Sequence, residues 1–393
     1  NQQVAGLAAL AMVGRHFPEL VDWAAFERQA TRTLALQSPE GWFTEYDGPD
    51  LGYLAVTIDC LWDLYDATGD PGFLESARNA LGYIHPFARL FRASCGMHNA
   101  RNTDYLVPYG LVRLALEDDA ASAHATEVVH WLFAEADRPD HFLGAIDDRY
   151  WCHYTGASLM RACALLRQSP LSPAPTPPSP TAPAAPRLTQ FPGAGQVLAE
   201  SGSGTGVAVS LRKGGIVTAC DTGRTHLGDW GWLIREGQRE YVTHWWTPAW
   251  EIVLRDNTFE VRGHPVPHRE KTPGPFAHMA LRWAALLLGS RLIRLLKSVL
   301  IFKQPARHLR FSRSVRIEPG AIVVRDEIEG LLPTASVERA PRASKRHVSS
   351  ADSFHAEDSF SAHGPLPDEL RSRPAPDRFR CEVRYPFPGP RMQ

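Results

Sequence analysis

The sequence predicts a multidomain α and β chain: an incomplete N-terminal α/α toroid over residues 1–168, followed by an antiparallel β-sandwich over 193–332. Three observations carry this. Apolar residues recur at helical spacing in successive hairpins up to about residue 168, the composition of 169–192 turns to Pro, Ser, Ala and Thr, and beyond it the apolar period becomes two.

In the first part, Val4, Leu7, Ala8, Leu10, Ala11 and Val13 make a helix of mostly small apolar residues that stops near Gly14. Trp23, Phe26, Ala30, Leu34 and Leu36 recur at helical spacing up to Ser38-Pro39, and Tyr53, Leu54, Val56, Ile58, Leu61 and Leu64 form a strongly apolar helix ended by Thr68-Gly69-Asp70-Pro71-Gly72. Helices are expected from Phe73 to about Phe91, Tyr105 to about Leu116, Ala120 to about Ala136 and Thr155 to about Leu166. Repeated hairpins with inner helices apolar on most faces point to a toroid, whose inner-helix loops surround a cleft.

The Pro- and Ser-rich stretch 169–192 cannot build a core and is read as a semi-rigid linker. Strands are expected at 206–211, 215–220, 230–235, 240–243, 250–254, 309–317 and 321–328, separated by turns such as Arg212-Lys213-Gly214-Gly215. A helical insertion, 276–302, approaches membrane-span length, but Arg282, Arg291, Arg294 and Lys297 fall inside it. A buried or interfacial amphipathic helix is therefore expected, and a peripheral membrane or protein contact is its expected use. From 333 to 393 the polar, Pro-rich text predicts a poorly ordered or irregular segment.

A chain of 393 residues with 44% hydrophobic and 22% charged residues can bury two cores, so a soluble globular protein rather than a disordered one is expected. A net charge of −1 leaves no overall field for nucleic acid, so an acidic ligand must be held by local Arg, Lys or His. Cys60, Cys95, Cys152, Cys163, Cys220 and Cys381 are scattered without metal-type spacing and read as ordinary buried thiols, with pairing unreadable from sequence. No metal site and no cofactor are expected. The chain opens at Asn1 inside a helical pattern, without Met or a visible signal peptide, and is read as a fragment or a processed product.

Three polar loops precede apolar helical patterns: Glu40 to Tyr53, Gly96 to Gly110, and Ala145 to Thr155. The first packs two carboxylates, an acidic Gly-Pro turn and aromatic rings into one stretch. Candidate ligand contacts there are Trp42, Glu45, Tyr46 and Asp50; the second loop adds His98, Arg101 and Asn102, and the third Arg149, Tyr150 and His153. Aromatic rings can stack on sugars, whereas His, Asn and Asp in such loops also cap helices.

The combination of toroid, linker and sandwich resembles the heparinase II/III-like, alginate-lyase-like polysaccharide lyases. The opening Asn1-Gln2-Gln3-Val4-Ala5-Gly6-Leu7-Ala8 is similar to the start of the family's inner helix, with Asn1 matching the Asn and Gln2 standing where the family has His. Trp42 to Tyr53 is similar to its aromatic, acidic loop and makes Tyr53 the best match for the catalytic Tyr. For the β-domain His the nearest candidates are His226 and His244.

The resemblance implies β-elimination on a uronate-containing acidic polysaccharide, with Tyr53 as base and acid, Asn1, Gln2 or Arg101 offsetting the carboxylate charge, and a periplasmic or extracellular location. Removing a proton α to a carboxylate requires that charge to be offset by amide or cationic donors. The absent His leaves a uronyl C5-epimerase open. Two other readings compete: an inverting hydrolase using a pair from Glu45, Asp47, Asp50 and Asp147, and a non-catalytic glycan-binding component of exopolysaccharide assembly.

Overall fold

The computed structural model describes residues 2–45, 47–117, 119–134, 155–171, 186–202, 205–221, 223–268, 275–289, 291–292, 303–341, 343–344, 353–354 and 369–387. The described chain divides into two compact units, one within 1–207 and 220–225, the other within 208–219 and 226–387.

The first unit is helical: α1 (Gln2–His16), α2 (Trp23–Leu34), α3 (Leu51–Thr68), α4 (Pro71–Phe91), α5 (Tyr109–Ala115), α6 (Ala120–Phe133) and α7 (Gly156–Gln168). Its centre is α3, which buries Leu51, Leu54, Ala55, Ile58, Leu61, Trp62 and Leu64 and packs against α1, α4 and α5. Asp50 caps its N-terminus, and Gly69 ends it at φ +73°, a left-handed conformation that costs glycine little. The next two residues, Asp70 and Pro71, start α4, so the turn is written in cap chemistry.

The helix expected from Tyr105 begins instead at Tyr109. Pro108 disfavours helix in the residue before it, and without side-chain help its own position leaves the first amides of α5 uncapped. Two other helices supply the partners. Asp59 of α3 accepts from Gly110 N at 2.7 Å, and Ser158 Oγ of α7 accepts from Tyr109 N at 3.0 Å. A Cβ on Gly110 would lie 2.8 Å from Asp59 N, so glycine permits this close approach of α5 to α3. Beside it, Arg161 pairs with Asp63 and stacks over Tyr109, 3.4 Å from the ring centre.

The strands begin earlier than expected. β1 (Arg187–Phe191) and β2 (Gln196–Gly202) pair antiparallel, which takes β1 out of the segment assigned to the linker; residues 172–185 lie outside the described residues. With β3 (Thr205–Ser210), β4 (Ile216–Asp221) and β5 (Arg224–Asp229) they form a five-stranded sheet in sequence order.

In the second unit β6 (Trp232–Glu236), β7 (Arg239–Val242), β8 (Glu251–Arg255), β9 (Thr258–Gly263) and β10 (Val266–His268) are followed by α8 (Pro275–Leu288). Then come β11 (Arg310–Glu318), β12 (Ala321–Glu329), β13 (Ser336–Arg339), β14 (Ala343–Ser344), β15 (Ser353–Phe354), β16 (Glu369–Ala375) and β17 (Arg378–Pro386). They build a four-stranded sheet, β10-β7-β6-β13, a six-stranded sheet, β16-β17-β12-β11-β9-β8, and a two-stranded ladder of β14 and β15. The stretch expected to be irregular from 333 onward therefore supplies β13 to one sheet and β16 and β17 to the edge of the other. The helical insertion is observed as α8; residues 293–302 fall outside the described residues.

The two larger sheets meet through Trp232 of β6, whose ring sits edge-on to Phe379 of β17 at 4.9 Å. Between them lies a buried ionic row. Arg313 of β11 pairs in register with Asp326 of β12, which pairs with Cys381 of β17. The fully buried Arg313 donates to Asp326 at 2.6 and 2.8 Å, to Asp229 at 3.2 Å and to Gly215 O at 3.1 Å. Asp326 also accepts from Trp232 Nε1 at 2.9 Å, while Asp229 accepts from Arg339 at 2.9 Å and from Tyr385 OH at 3.1 Å. Arg313 and Arg339 hold the Asp229 carboxyl down at about 2 against the opposing effect of burial. Of the described cysteines, Cys95, Cys220 and Cys381 are buried as expected, whereas Cys60 is half-buried and Cys163 is exposed.

Two measurements check these arrangements. Arg313→Met strands two buried carboxylates and should lower unfolding stability by about 3–5 kcal/mol in urea titrations, whereas a loss near zero would show the row to be dispensable. Asp59 has the opposite sign: burial raises its carboxyl from 3.8 to about 7, so between those values the folded state binds more protons and stability falls as pH rises. Asp59→Asn should flatten that part of the stability curve, and an unchanged slope would contradict the assignment.

Candidate active site

The loop from Gln37 to Asp50 is held at several points before it reaches α3. Gln37 Nε2 donates to Gly41 O at 2.8 Å and Ser76 O at 2.9 Å, and Gln37 Oε1 accepts from Ser76 Oγ at 2.9 Å. Glu40 accepts from Trp42 Nε1 at 2.8 Å and from the backbone amides of Gly193 and Ala194 at 2.6 and 3.0 Å. Gly41 sits at φ +97°, where a Cβ would lie 2.0 Å from Asn79 O. Trp42 is thereby fixed and half-buried, and a bridge between Glu45 and Gly48 closes the tip.

Asp50 is the junction. As the N-cap of α3 its carboxylate accepts from Tyr53 N at 3.2 Å, and its other oxygen accepts from Arg101 N at 3.0 Å. Thr103 Oγ1 donates to it as well, and accepts from Gly52 N at 3.3 Å and from Asn99 Nδ2 at 3.1 Å, which fills the hydroxyl's capacity. Asn99 completes the lock: its Oδ1 accepts from Leu51 N at 2.8 Å, and its Nδ2 also donates to Ser94 Oγ at 2.8 Å and Thr103 O at 2.7 Å. Ala100 N donates to Pro49 O at 2.8 Å, so the two loops are joined through backbone too.

This sorts the expected residues. The loops at Glu40–Tyr53 and Gly96–Gly110 come together, and the amides of Tyr53 and Arg101 rest on one carboxylate. Tyr53 is half-buried, Glu45 is half-buried, and Gln2 is exposed at the start of α1. Asp50, expected as a ligand contact, is instead 1% exposed and committed to the cap and to Arg101 and Thr103. His98 and Asn102 are also enclosed: His98 packs near Phe91 and its carbonyl accepts from Gln196 Nε2 at 2.7 Å, while Asn102 holds a left-handed φ of +55°. Arg101 is 6% exposed, with its backbone amide on Asp50.

His226 and His244 belong to the second unit, His226 exposed on β5 and His244 fully buried after β7, where a polymer cannot touch its ring in this conformation. Asn1, Tyr46, Asp147, Arg149, Tyr150 and His153 lie outside the described residues. Residues that sequence reasoning passed over are Ser94, Asn99, Thr103, Tyr83 and Gln196. Asn99 and Thr103 flank the selected Arg101 and Asn102, but nothing in their spacing marks them as partners of a residue about fifty positions upstream. Tyr83 donates to Gln196, and burial holds its phenol well above the ordinary tyrosine value, so it stays neutral.

Thr103→Val removes a hydroxyl with three buried partners and should cost about 1–3 kcal/mol of stability in urea unfolding; a loss no larger than that of a surface Thr→Val control would contradict the junction. Neither the scan against protein-family models nor the search of curated proteins gave a match.

Proposed function

We propose that the first unit is part of an α/α toroid and that the chain is a polysaccharide lyase-like enzyme acting on a uronate-containing acidic polysaccharide. The observation supporting this most is the shared carboxylate: Asp50 holds Tyr53 N and Arg101 N together, so a phenol and a guanidinium from separate loops start from adjacent, rigid anchor points. Preorganisation of that kind is what a proton abstraction next to a charged group needs.

In this reading Tyr53 takes the ring proton α to the uronate carboxylate. The electron pair passes into the carboxylate, whose added charge is offset by an amide such as that of Gln2 and, through its field from the enclosed junction rather than by contact, by the positive charge of Arg101. The C–O bond at the neighbouring carbon then breaks, a ring double bond forms, and the leaving oxygen receives a proton from Tyr53. Trp42 supplies an apolar surface beside the loop for a sugar ring. The engagement of Asp50 in the cap speaks against the inverting hydrolase, because it removes one member of the carboxylate set that such a pair would draw on.

The test is ultraviolet absorbance of unsaturated uronide during incubation with a panel of uronate polymers. Absorbance should rise with at least one polymer, and Tyr53→Phe should lower the rate by about 10²–10⁴-fold. No rise with any polymer, or an unchanged rate in Tyr53→Phe, would overturn the proposal; exchange of the ring proton with solvent without chain cleavage would assign the epimerase instead.

A further inference from the structure

The helix α8 is built inside out. Every residue of α8 whose burial is described is exposed except Leu281 and Ala284, and among the exposed ones Phe276, Met279, Ala280, Trp283 and Leu287 follow one another at helical spacing in one apolar stripe, with Leu286 alongside. Phe276, Trp283 and Leu287 are 83%, 68% and 84% exposed, whereas Leu281 and Ala284, off this stripe, are the partly covered positions. Isolated exposed apolar side chains are ordinary, but a contiguous aromatic and aliphatic stripe marks a contact surface. No helix among the described residues is long and apolar enough to cross a membrane.

Charge identifies the occupant. The described residues between 275 and 292 carry Arg282 and Arg291 and neither Asp nor Glu, although the chain as a whole carries a net charge of −1. A second copy of this helix would cover the stripe but set these cations against one another. A soluble acidic polymer would match the cations and leave the stripe in water. An anionic bilayer surface satisfies both, taking Trp283 and the leucines into the headgroup–acyl boundary and the basic groups against lipid phosphates.

We propose that α8 is an interfacial helix that docks the second unit on an anionic lipid surface, independently of the activity proposed above. The experiment is co-sedimentation of the full chain with phosphatidylglycerol–phosphatidylcholine vesicles and with phosphatidylcholine vesicles alone, at low and high salt. Binding should favour the anionic vesicles and weaken with salt. Leu287→Glu, an exposed change that should leave the far-ultraviolet circular dichroism intact, should reduce that binding by about tenfold or more. Absence of binding to anionic vesicles at low salt, or binding unchanged in Leu287→Glu, would overturn the proposal. A concentration-dependent dimer abolished by Leu287→Glu, without vesicle binding, would also overturn it and give the stripe to a second copy.

Discussion

One carboxylate organises the helical unit. Asp50 terminates a loop, starts the central helix and fastens a second loop, and it does so from a nearly dry environment. A buried anion is costly unless its lone pairs are met, and here two backbone amides and a threonine hydroxyl meet them. The burial of α3 against α1, α4 and α5 presupposes this start point, because a slipped cap would rotate the apolar faces of the helix away from their partners. The same anchor fixes where Tyr53 leaves the helix and where Arg101 enters the junction.

The second unit solves a related problem on a larger scale. Its inter-sheet core is largely apolar, with Phe311, Val315, Ile322, Val324 and Phe379 enclosed, yet Arg313 and Asp326 occupy an inward-facing row. Removing two charges from water is rarely stabilising in itself. What the row contributes is register: Arg313 can satisfy Asp326, Asp229 and Gly215 O together only with β11 and β12 aligned as they are. The outer face of the same sheet carries self-paired charges, Arg325 with Glu382 and Arg380 with Glu327, along a groove of about 470 Å³. Such exposed pairs are individually weak and solvate the face more than they stabilise it.

Much of this architecture is legible in the residues. Asp50, Gly69 and Asp70-Pro71 write the ends of α3 and α4 in local chemistry, and strict alternation locates β11 and β12 within a residue. What escapes reading depends on distant partners. The start of α5 is set by Asp59 and Ser158 from other helices, which propensity over 105–116 cannot reveal. β17 does alternate, with Phe379, Cys381, Val383 and Tyr385 inward, but Arg and Glu on its outer face and the Pro-rich text around it disguise a strand as a tail. At the site, motif reading selected Asp50 and Arg101 as ligand groups. Only the fold shows that the Asp50 carboxylate is consumed by Arg101 N, since a long-range side-chain-to-backbone bond leaves no mark in spacing.

The helical unit depends on Asp50 locking two loops into one rigid junction. Native-state amide hydrogen exchange tests it most directly. The amides of Leu51, Tyr53, Ala100 and Arg101 should exchange as slowly as the interior of α3 and should lose protection together in Asp50→Ala. Exchange of Arg101 N at the rate of an open surface loop, or loss of protection at Tyr53 alone in the variant, would contradict it.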